Sequence, residues 1–481
     1  MGNPDFEIVG NGNIGEKARQ LLDKTSRLKE IGFHVPKRTI LAQDFFDGFF
    51  QRNDLGRNVQ EVEITGNLEQ KIRGGSLTGE EFETLQRVTS SYNGSPLAIR
   101  SSAEGDARGT GTYESRFSPN QVEQVGKQLL IVLASYFSED AIAFRRDSKS
   151  GKGFAVMVEP IVGQQIDWVF APVYSGFGYT STSKGAGYIH LVTGMLGGVS
   201  SRDGERITEE LVREHQDDFA NIVCKLPKRS HDWREWPLEK LLACPLGHAY
   251  LGEGKVGKSY YSFEERLKGA LHDLKLIPLF EYMKRMEDAF DRPQYFEWAM
   301  AIEEGKPRWY ILQIADVDKK NDVFDFGDAE KVLFDCHTVT GSGIKEANKI
   351  FDCWNRDDIP RLDRFNQQNR GYVLLFSSRL TRGMIDLFIE GQLSYRNFSN
   401  ASVLVEIQDV KHAGDSVAHL GGQLDETGKF FGVLNYGPEY TPNLELFGAR
   451  KKKEFGADVY QGRVKAIASE RQDRMQVIAI D

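Results

Sequence analysis

Apolar and polar positions alternate along this chain with two different periods, and each change of period marks an element. Phe6-Glu7-Ile8-Val9 has the profile of a short strand. A glycine-rich turn, Gly10-Asn11-Gly12-Asn13-Ile14-Gly15, follows it. Ile14, Ala18, Leu21, Leu22, Leu28 and Ile31 then recur at helical spacing, with Gly32 able to end the helix and Pro36 opposing its resumption. Thr39-Ile40-Leu41 predicts a strand, and Phe45, Phe46, Phe49 and Phe50 predict the buried side of a second helix. Leu97-Ala98-Ile99 is an apolar strand that runs into Arg100-Ser101-Ser102 and a loop rich in glycine. Residues 127–147 read as helical, and Phe154-Ala155-Val156-Met157-Val158 as a buried strand.

Farther on, residues 166–200 are rich in glycine, serine and aromatics with short strand-like runs, and 205–290 are mostly helical and charged in pattern. Residues 296–302 and 308–313 are strands flanking the turn Glu303-Glu304-Gly305-Lys306-Pro307, which predicts an antiparallel hairpin. Asp316 to Lys331 is rich in Asp and Lys and reads as a linker. Beyond it the runs at 373–376, 403–405 and 430–434 point to a compact α/β module with its own core.

With 481 residues the chain is expected to divide into two to four domains. A formal net charge of −9, with Arg450-Lys451-Lys452-Lys453 as the only long basic run, argues against nucleic acid as a main partner. A small phosphorylated ligand held by a few local cations stays compatible with that balance. Cys224, Cys244, Cys336 and Cys353 show no close pairing and read as reduced thiols of a cytoplasmic protein. Cys336-His337 could be half of a metal site, but no second half follows at ligand spacing. Met1 to Phe6 lacks a basic segment followed by an apolar one, and no window approaches 18 apolar residues, so neither a signal peptide nor a membrane span is expected.

Candidate chemistry lies in four places. Arg100 with Ser101, Ser102 and the glycines of the following loop, Gly109 and Gly111 among them, suits a polyanion, because a guanidinium fork matches phosphate oxygens and glycine lets backbone N–H groups approach closely. Glu297 and Gln313 could face each other across the hairpin and offer hard oxygens to a cation such as Mg²⁺. Lys17 sits in the first turn of a helix, where it could meet a phosphate. His419, in Ser416-Val417-Ala418-His419-Leu420-Gly421-Gly422, could present a nucleophilic ring nitrogen. Each has a plainer reading too: a solvated turn, two polar residues on a solvent-facing strand side, a surface lysine, a structural histidine. Gly10, Gly12 and Gly15 formally spell a dinucleotide fingerprint, but His34-Val35-Pro36-Lys37-Arg38 holds no acid where a ribose would need one.

Taken together the motifs resemble the pyruvate phosphate dikinase and phosphoenolpyruvate synthase superfamily, without the pyruvate barrel. Gly15-Glu16-Lys17-Ala18-Arg19-Gln20-Leu21 is similar to that family's opening GGKxxxL, and Gly32 to Ile40 to its GxxVPxxxxI. Ile99-Arg100-Ser101-Ser102-Ala103, Gly111-Thr112-Tyr113-Glu114-Ser115, Ala141-Ile142-Ala143-Phe144-Arg145, Glu297-Trp298-Ala299 and Leu312-Gln313 follow in the family order. Val417-Ala418-His419 with Glu426 and Gly428 resembles the phosphohistidine segment, though the Thr-Ser before it is absent. The resemblance implies an α+β / α/β multidomain chain: an ATP-grasp-like nucleotide-binding domain over 1–318, a linker over 319–331 and a swivelling phosphohistidine-like α/β domain over 332–481. It implies an ATP-dependent phosphotransferase of dikinase type. Lys17, Arg100, Ser101, Ser102, Gly109, Gly111 and Arg145 would hold ATP, and Glu297 and Gln313 would hold Mg²⁺. Arg100 and His419 would be catalytic, and the acceptor would be a small molecule or a separate acceptor-domain protein. One departure bears on rate. Ile314-Ala315-Asp316 stands where the family carries an arginine near the terminal phosphates. The alternative is therefore a catalytically impaired nucleotide-binding regulatory or scaffold protein of the same fold; an ATP-grasp ligase that makes ADP is a third reading.

Overall fold

The structure, a computed structural model, describes residues 5–56, 67–106, 112–148, 153–166, 169–172, 174–182, 185–193, 248–252, 255–258, 277–317, 322–326, 331–377, 380, 393–409, 424, 426–436 and 451–480. Strands β1 (Phe6–Val9) and β2 (Arg38–Leu41) run parallel, joined by helix α1 (Gly15–Ile31). Ala18, Leu21, Leu28 and Ile31 form the buried stripe of α1, and Gly32 closes it in the left-handed region at φ 115°, where its N–H reaches the Leu28 and Lys29 carbonyls. With β3 (Leu97–Ala103), β4 (Ser115–Ser118) and β5 (Phe154–Pro160) they form a five-stranded sheet in the order β1-β2-β5-β3-β4.

Side-chain alternation splits this first sheet between two cores. Leu41, Leu97, Ile99, Val156 and Val158 pack under helices α2 (Asp47–Arg52), α3 (Leu68–Arg73), α4 (Glu80–Ser90) and α5 (Val122–Ser135). The span 127–147, read as helical, holds two helices: α5 gives way to α6 (Glu139–Ser148), whose Ala141 N–H is taken by the Ser138 hydroxyl.

Residues 166–200 and 248–258 supply strands. β6 (Gln164–Ile166), β7 (Val169–Ala171), β10 (His248–Gly252) and β11 (Lys255–Lys258) form a small sheet, while β8 (Tyr174–Thr182), β9 (Gly185–Thr193), β12 (Gln294–Glu303) and β13 (Lys306–Asp316) form a larger one ordered β13-β12-β8-β9. β10 and β11 thus stand inside the span expected to be mostly helical; helix α7 (Ile277–Phe290) is its described helical part. Ile40, Met157 and Ala155 of the first sheet share a core with α1, α7 and the inward residues Phe296, Trp298, Met300 and Ile311 of the larger sheet. Asp316, expected to begin the linker, instead ends β13, where Lys24 Nζ meets its carboxylate at 2.6 Å and Gln294 Nε2 donates to it at 2.9 Å.

The C-terminal module is built from β14 (Val332–Thr340), β15 (Gly343–Cys353), β16 (Tyr372–Ser377), β17 (Ala401–Asp409), β18 (Phe430–Tyr436), β19 (Lys451–Glu454), β20 (Ala457–Ser469) and β21 (Arg474–Ala479). β15 to β18 are parallel, and pairing of β15 with β20 closes the sheet into a barrel of seven strands, with β19 hanging on β20. Ile350, Val373, Leu375, Val405 and Val477 fill one core of this module. Phe351, Leu374, Phe376 and Leu404 face the other way, under Leu362 and Phe365 of helix α8 (Ile359–Gln368). Phe144 of α6 is buried in that second core, so a helix of the N-terminal part packs as a rib of the module. Around it the Tyr395 hydroxyl donates to Asp147 at 2.9 Å, and the Arg396 N–H to Asp140 at 3.0 Å. Among the described residues no helix is long and apolar enough to cross a membrane.

Two outcomes test this packing. A Cβ on Gly15, whose φ is +71°, would stand 1.9 Å from the Ser102 carbonyl oxygen, whereas at Gly94, with φ +79°, nothing lies within 4 Å. In denaturant titrations Gly15→Ala is expected to lose about 2–4 kcal/mol, and Gly94→Ala only the backbone cost of about 1 kcal/mol. Equal losses would contradict the contact. In the barrel, burial and then the charge of Asp458 push the Asp352 carboxyl from 3.8 up to about 7. The folded form therefore holds this proton more tightly than the unfolded chain, so stability declines as pH rises from about 3.8 to about 7 and levels off above. Asp352→Asn is expected to remove that decline and to be more stable than wild type above pH 7 by roughly 2–4 kcal/mol. Parallel melting curves from pH 4 to pH 8 would refute the assignment.

Candidate functional site

The candidate site is set by the free edge of a strand. β13 ends the larger sheet, and a bare edge exposes unpaired backbone groups. His34 covers part of it, donating its N–H to the Trp309 carbonyl at 2.8 Å and accepting from the Ile311 N–H at 2.9 Å. Past Ile311 the alternation slips. Trp298 pairs with Ile311, yet Glu297 pairs with Gln313, so Leu312 is the extra residue of a β-bulge. The slip has two consequences. The Leu312 carbonyl accepts from Arg38 Nη2 at 3.0 Å and from Arg100 Nη1 at 3.2 Å. And Gln313, where an unbroken register would have put Leu312, stands directly opposite Glu297.

Arg38, Glu159 and Arg100 lie on three adjacent strands of the first sheet and form a chain of alternating charge with Glu297. Arg38 is fully buried and donates from Nε to Glu159. The other Glu159 oxygen lies 3.6 Å from Arg100 Nη1. Arg100 Nη2 meets Glu297 Oε2 at 2.5 Å, and the Tyr295 hydroxyl donates to Glu297 Oε1 at 3.2 Å. Burial works against the charge of Arg100, but Glu297 and Glu159 outweigh it and hold its pKa above the ordinary value. For Arg38, burial outweighs Glu159 and pulls the pKa down. Burial, and then Glu297, push the Tyr295 phenol up, so it stays a donor.

The remaining candidates are placed differently. Ser102 shares the Arg100 face of β3, but its hydroxyl is used at the start of α1: it donates to the Ile14 carbonyl at 2.9 Å and accepts from the Ala18 N–H at 3.0 Å. Lys17, nearly buried, is paired with the buried Asp106 at 2.6 Å. Ser101 lies on the opposite side of β3, with Leu97 and Ile99, and its Oγ is buried with no hydrogen-bond partner among the described residues. Arg145 stacks on Tyr136, 3.7 Å from the ring centroid, and donates to the Tyr136 carbonyl at 2.6 Å. Gly109, Gly111 and His419 lie outside the described residues. The structure thus brings Arg100, Glu297 and Gln313 together, sets Ser102 and Lys17 at the α1 start, and keeps Ser101 off that face.

A carboxylate and an amide side chain on opposed strand positions are hard-oxygen donors of the kind Mg²⁺ takes when substrate phosphates complete its shell. Among the described residues no group of three or more His, Cys, Asp or Glu could hold a metal, so a cation here would rest on that pair. Cys336 is buried in a barrel core, and burial pushes its thiol well above the ordinary range. Ala315 is fully buried against Phe177 and Tyr295.

Arg38, Glu159 and Tyr295 were not singled out by sequence reasoning. A readable signal existed: Arg38 opens one mostly apolar strand and Glu159 lies near the end of another, and opposite charges there invite pairing. The bulge had one as well, since the core residues Trp309, Ile311 and Ile314 step by two and then by three. No protein-family model matches this chain, and no curated protein matches it.

Removing one partner of a buried pair strands the other charge. Glu159→Gln is expected to lose about 3–5 kcal/mol, while Arg38→Met combined with Glu159→Met regains most of it. Chemical denaturation of the two variants checks this; a single variant as stable as wild type would contradict the pairing.

Proposed function

We propose that this chain binds Mg²⁺-ATP beside the β13 bulge and acts as an ATP-dependent phosphotransferase of dikinase type, passing a phosphoryl group through His419 to a small molecule or a separate acceptor-domain protein. The observation that carries the reading is the meeting of Arg100 with Glu297, 197 positions apart, with Gln313 opposite Glu297. A cationic fork beside a hard-oxygen pair suits a triphosphate with its cation. Glu297 and Gln313 would hold Mg²⁺, which when bound neutralises phosphate charge and fixes phosphate geometry. Arg100 would turn its guanidinium to the phosphate oxygens. Lys17 would do so on leaving Asp106. Transfer of this kind depends on positioning and electrostatics more than on covalent work by the protein. In this reading the protein is cytoplasmic, and the C-terminal module swings between ATP and acceptor. That motion requires Phe144 and the Asp147–Tyr395 and Asp140–Arg396 contacts to part.

One observation favours a second reading, nucleotide binding with impaired chemistry. Ala315, packed among aromatic side chains, offers no cation at the position where the resembling family has arginine.

Calorimetry and isotope labelling separate the readings. Mg²⁺-dependent ATP binding is expected, weakened at least about tenfold by Glu297→Ala. Label from β-³²P-ATP on His419, acid-labile and base-stable, with AMP released and the γ-phosphoryl passed to water as inorganic phosphate, is expected of the phosphotransferase. Binding without label supports the impaired reading, and no binding overturns both.

A further inference from the structure

Arg100 has two carboxylates within reach, and they differ in kind. Glu297 stands on the candidate cation pair and contacts Arg100 at 2.5 Å. Glu159 lies 3.6 Å from Nη1, within ion-pair range but beyond a hydrogen bond. Its carboxylate is fixed from the far side by the fully buried Arg38, which is itself tied to the Leu312 carbonyl at 3.0 Å. Arg38 therefore holds one Glu159 oxygen and leaves the other directed at Arg100. A cation taking Glu297 must displace Arg100, and a guanidinium released into a buried space without a counter-charge would be costly.

We propose that Glu159, held by Arg38, is a positioning residue that receives Arg100 when a divalent cation occupies Glu297, so that cation entry exchanges one ion pair for another without leaving a bare charge. This rests on the Mg²⁺-ATP reading and deepens it. Without the second seat, Arg100 and the cation compete for Glu297. With it, the guanidinium settles on Glu159 through Nη1, while Nη2, freed from Glu297, turns to the phosphate oxygens. A ligand shifts such an equilibrium only through its different affinity for the two arrangements, and Glu159 lowers the free energy of the cation-competent one.

The test is a double-mutant cycle read as the dissociation constant for Mn²⁺-ATP, followed by calorimetry and by the Mn²⁺ paramagnetic resonance signal. Glu159→Gln is expected to weaken binding by about fivefold to tenfold in the wild-type background, the scale of a modest coupling between sites. In an Arg100→Gln background, where no guanidinium competes for Glu297, the same change is expected to have no further effect. A merely structural role of Glu159 would weaken binding in both backgrounds and overturn the proposal. The paired replacement Arg38→Met/Glu159→Met removes the seat while refilling the space. It is expected to give the same background-dependent loss, and it serves as the folded variant if the single change unfolds the chain. Wild-type binding with no effect of either variant overturns the exchange and leaves the nucleotide site standing. Absence of Mn²⁺-ATP binding by the wild type overturns both.

Discussion

Two arginines and two glutamates at the junction of two sheets constrain the rest of the structure. Arg38, Glu159, Arg100 and Glu297 alternate in sign, and each charge taken from water is met by the next. The arrangement is cooperative, because removing any internal member exposes a buried neighbour. It also fixes geometry. Three strands of the first sheet and one of the larger sheet must keep their register for the pairs to form. Arginine suits the place because one guanidinium can serve a carboxylate and a backbone carbonyl at once, as Arg38 and Arg100 both do at Leu312.

The bulge connects this junction to possible chemistry. An unbroken hairpin would set Leu312 opposite Glu297 and leave the edge of β13 bare beyond His34. One extra residue hands a carbonyl to the arginines and brings an amide to the carboxylate. Among the described residues the candidate cations already have internal counter-charges: Lys17 has Asp106, Arg100 has Glu297 and Glu159. A polyanionic ligand here would therefore exchange partners instead of meeting free charges. Its affinity would reflect the difference between two sets of contacts, and the cation that accompanies it would matter as much as the anion.

The barrel module adds a constraint of another sort. Its outer core is completed by Phe144 from α6, and polar contacts from Asp140 and Asp147 ring that side chain. Apolar burial holds the joint, while the polar ring gives it one orientation. Any function that moves the module against the rest must first undo this contact.

Much of the framework was legible in the sequence. The strand–turn–helix at the start, the buried stripe of α1 and the hairpin follow from local period and turn residues, because those properties are set by neighbours in the chain, whereas the opposition of Glu297 to Gln313 also needed the bulge at Leu312. The apolar run ending in Arg100 was legible too. Three features were decided only by tertiary structure. The side of β3 on which Ser101 falls was open to alternation, but which side faces the larger sheet depended on distant packing. The capture of Lys17 by Asp106 and of Arg100 by Glu297 joined residues tens to hundreds of positions apart, and no local period encodes such a meeting. The extension of β13 through Asp316 overrode a linker-like composition, since Lys24 and Gln294 supply the buried partners that its carboxylate needs. Local sequence specifies the strands and helices. Charge pairing across sheets specifies where their ends stop and which polar groups meet, because a charge removed from water is stable only beside a partner that folding must bring to it.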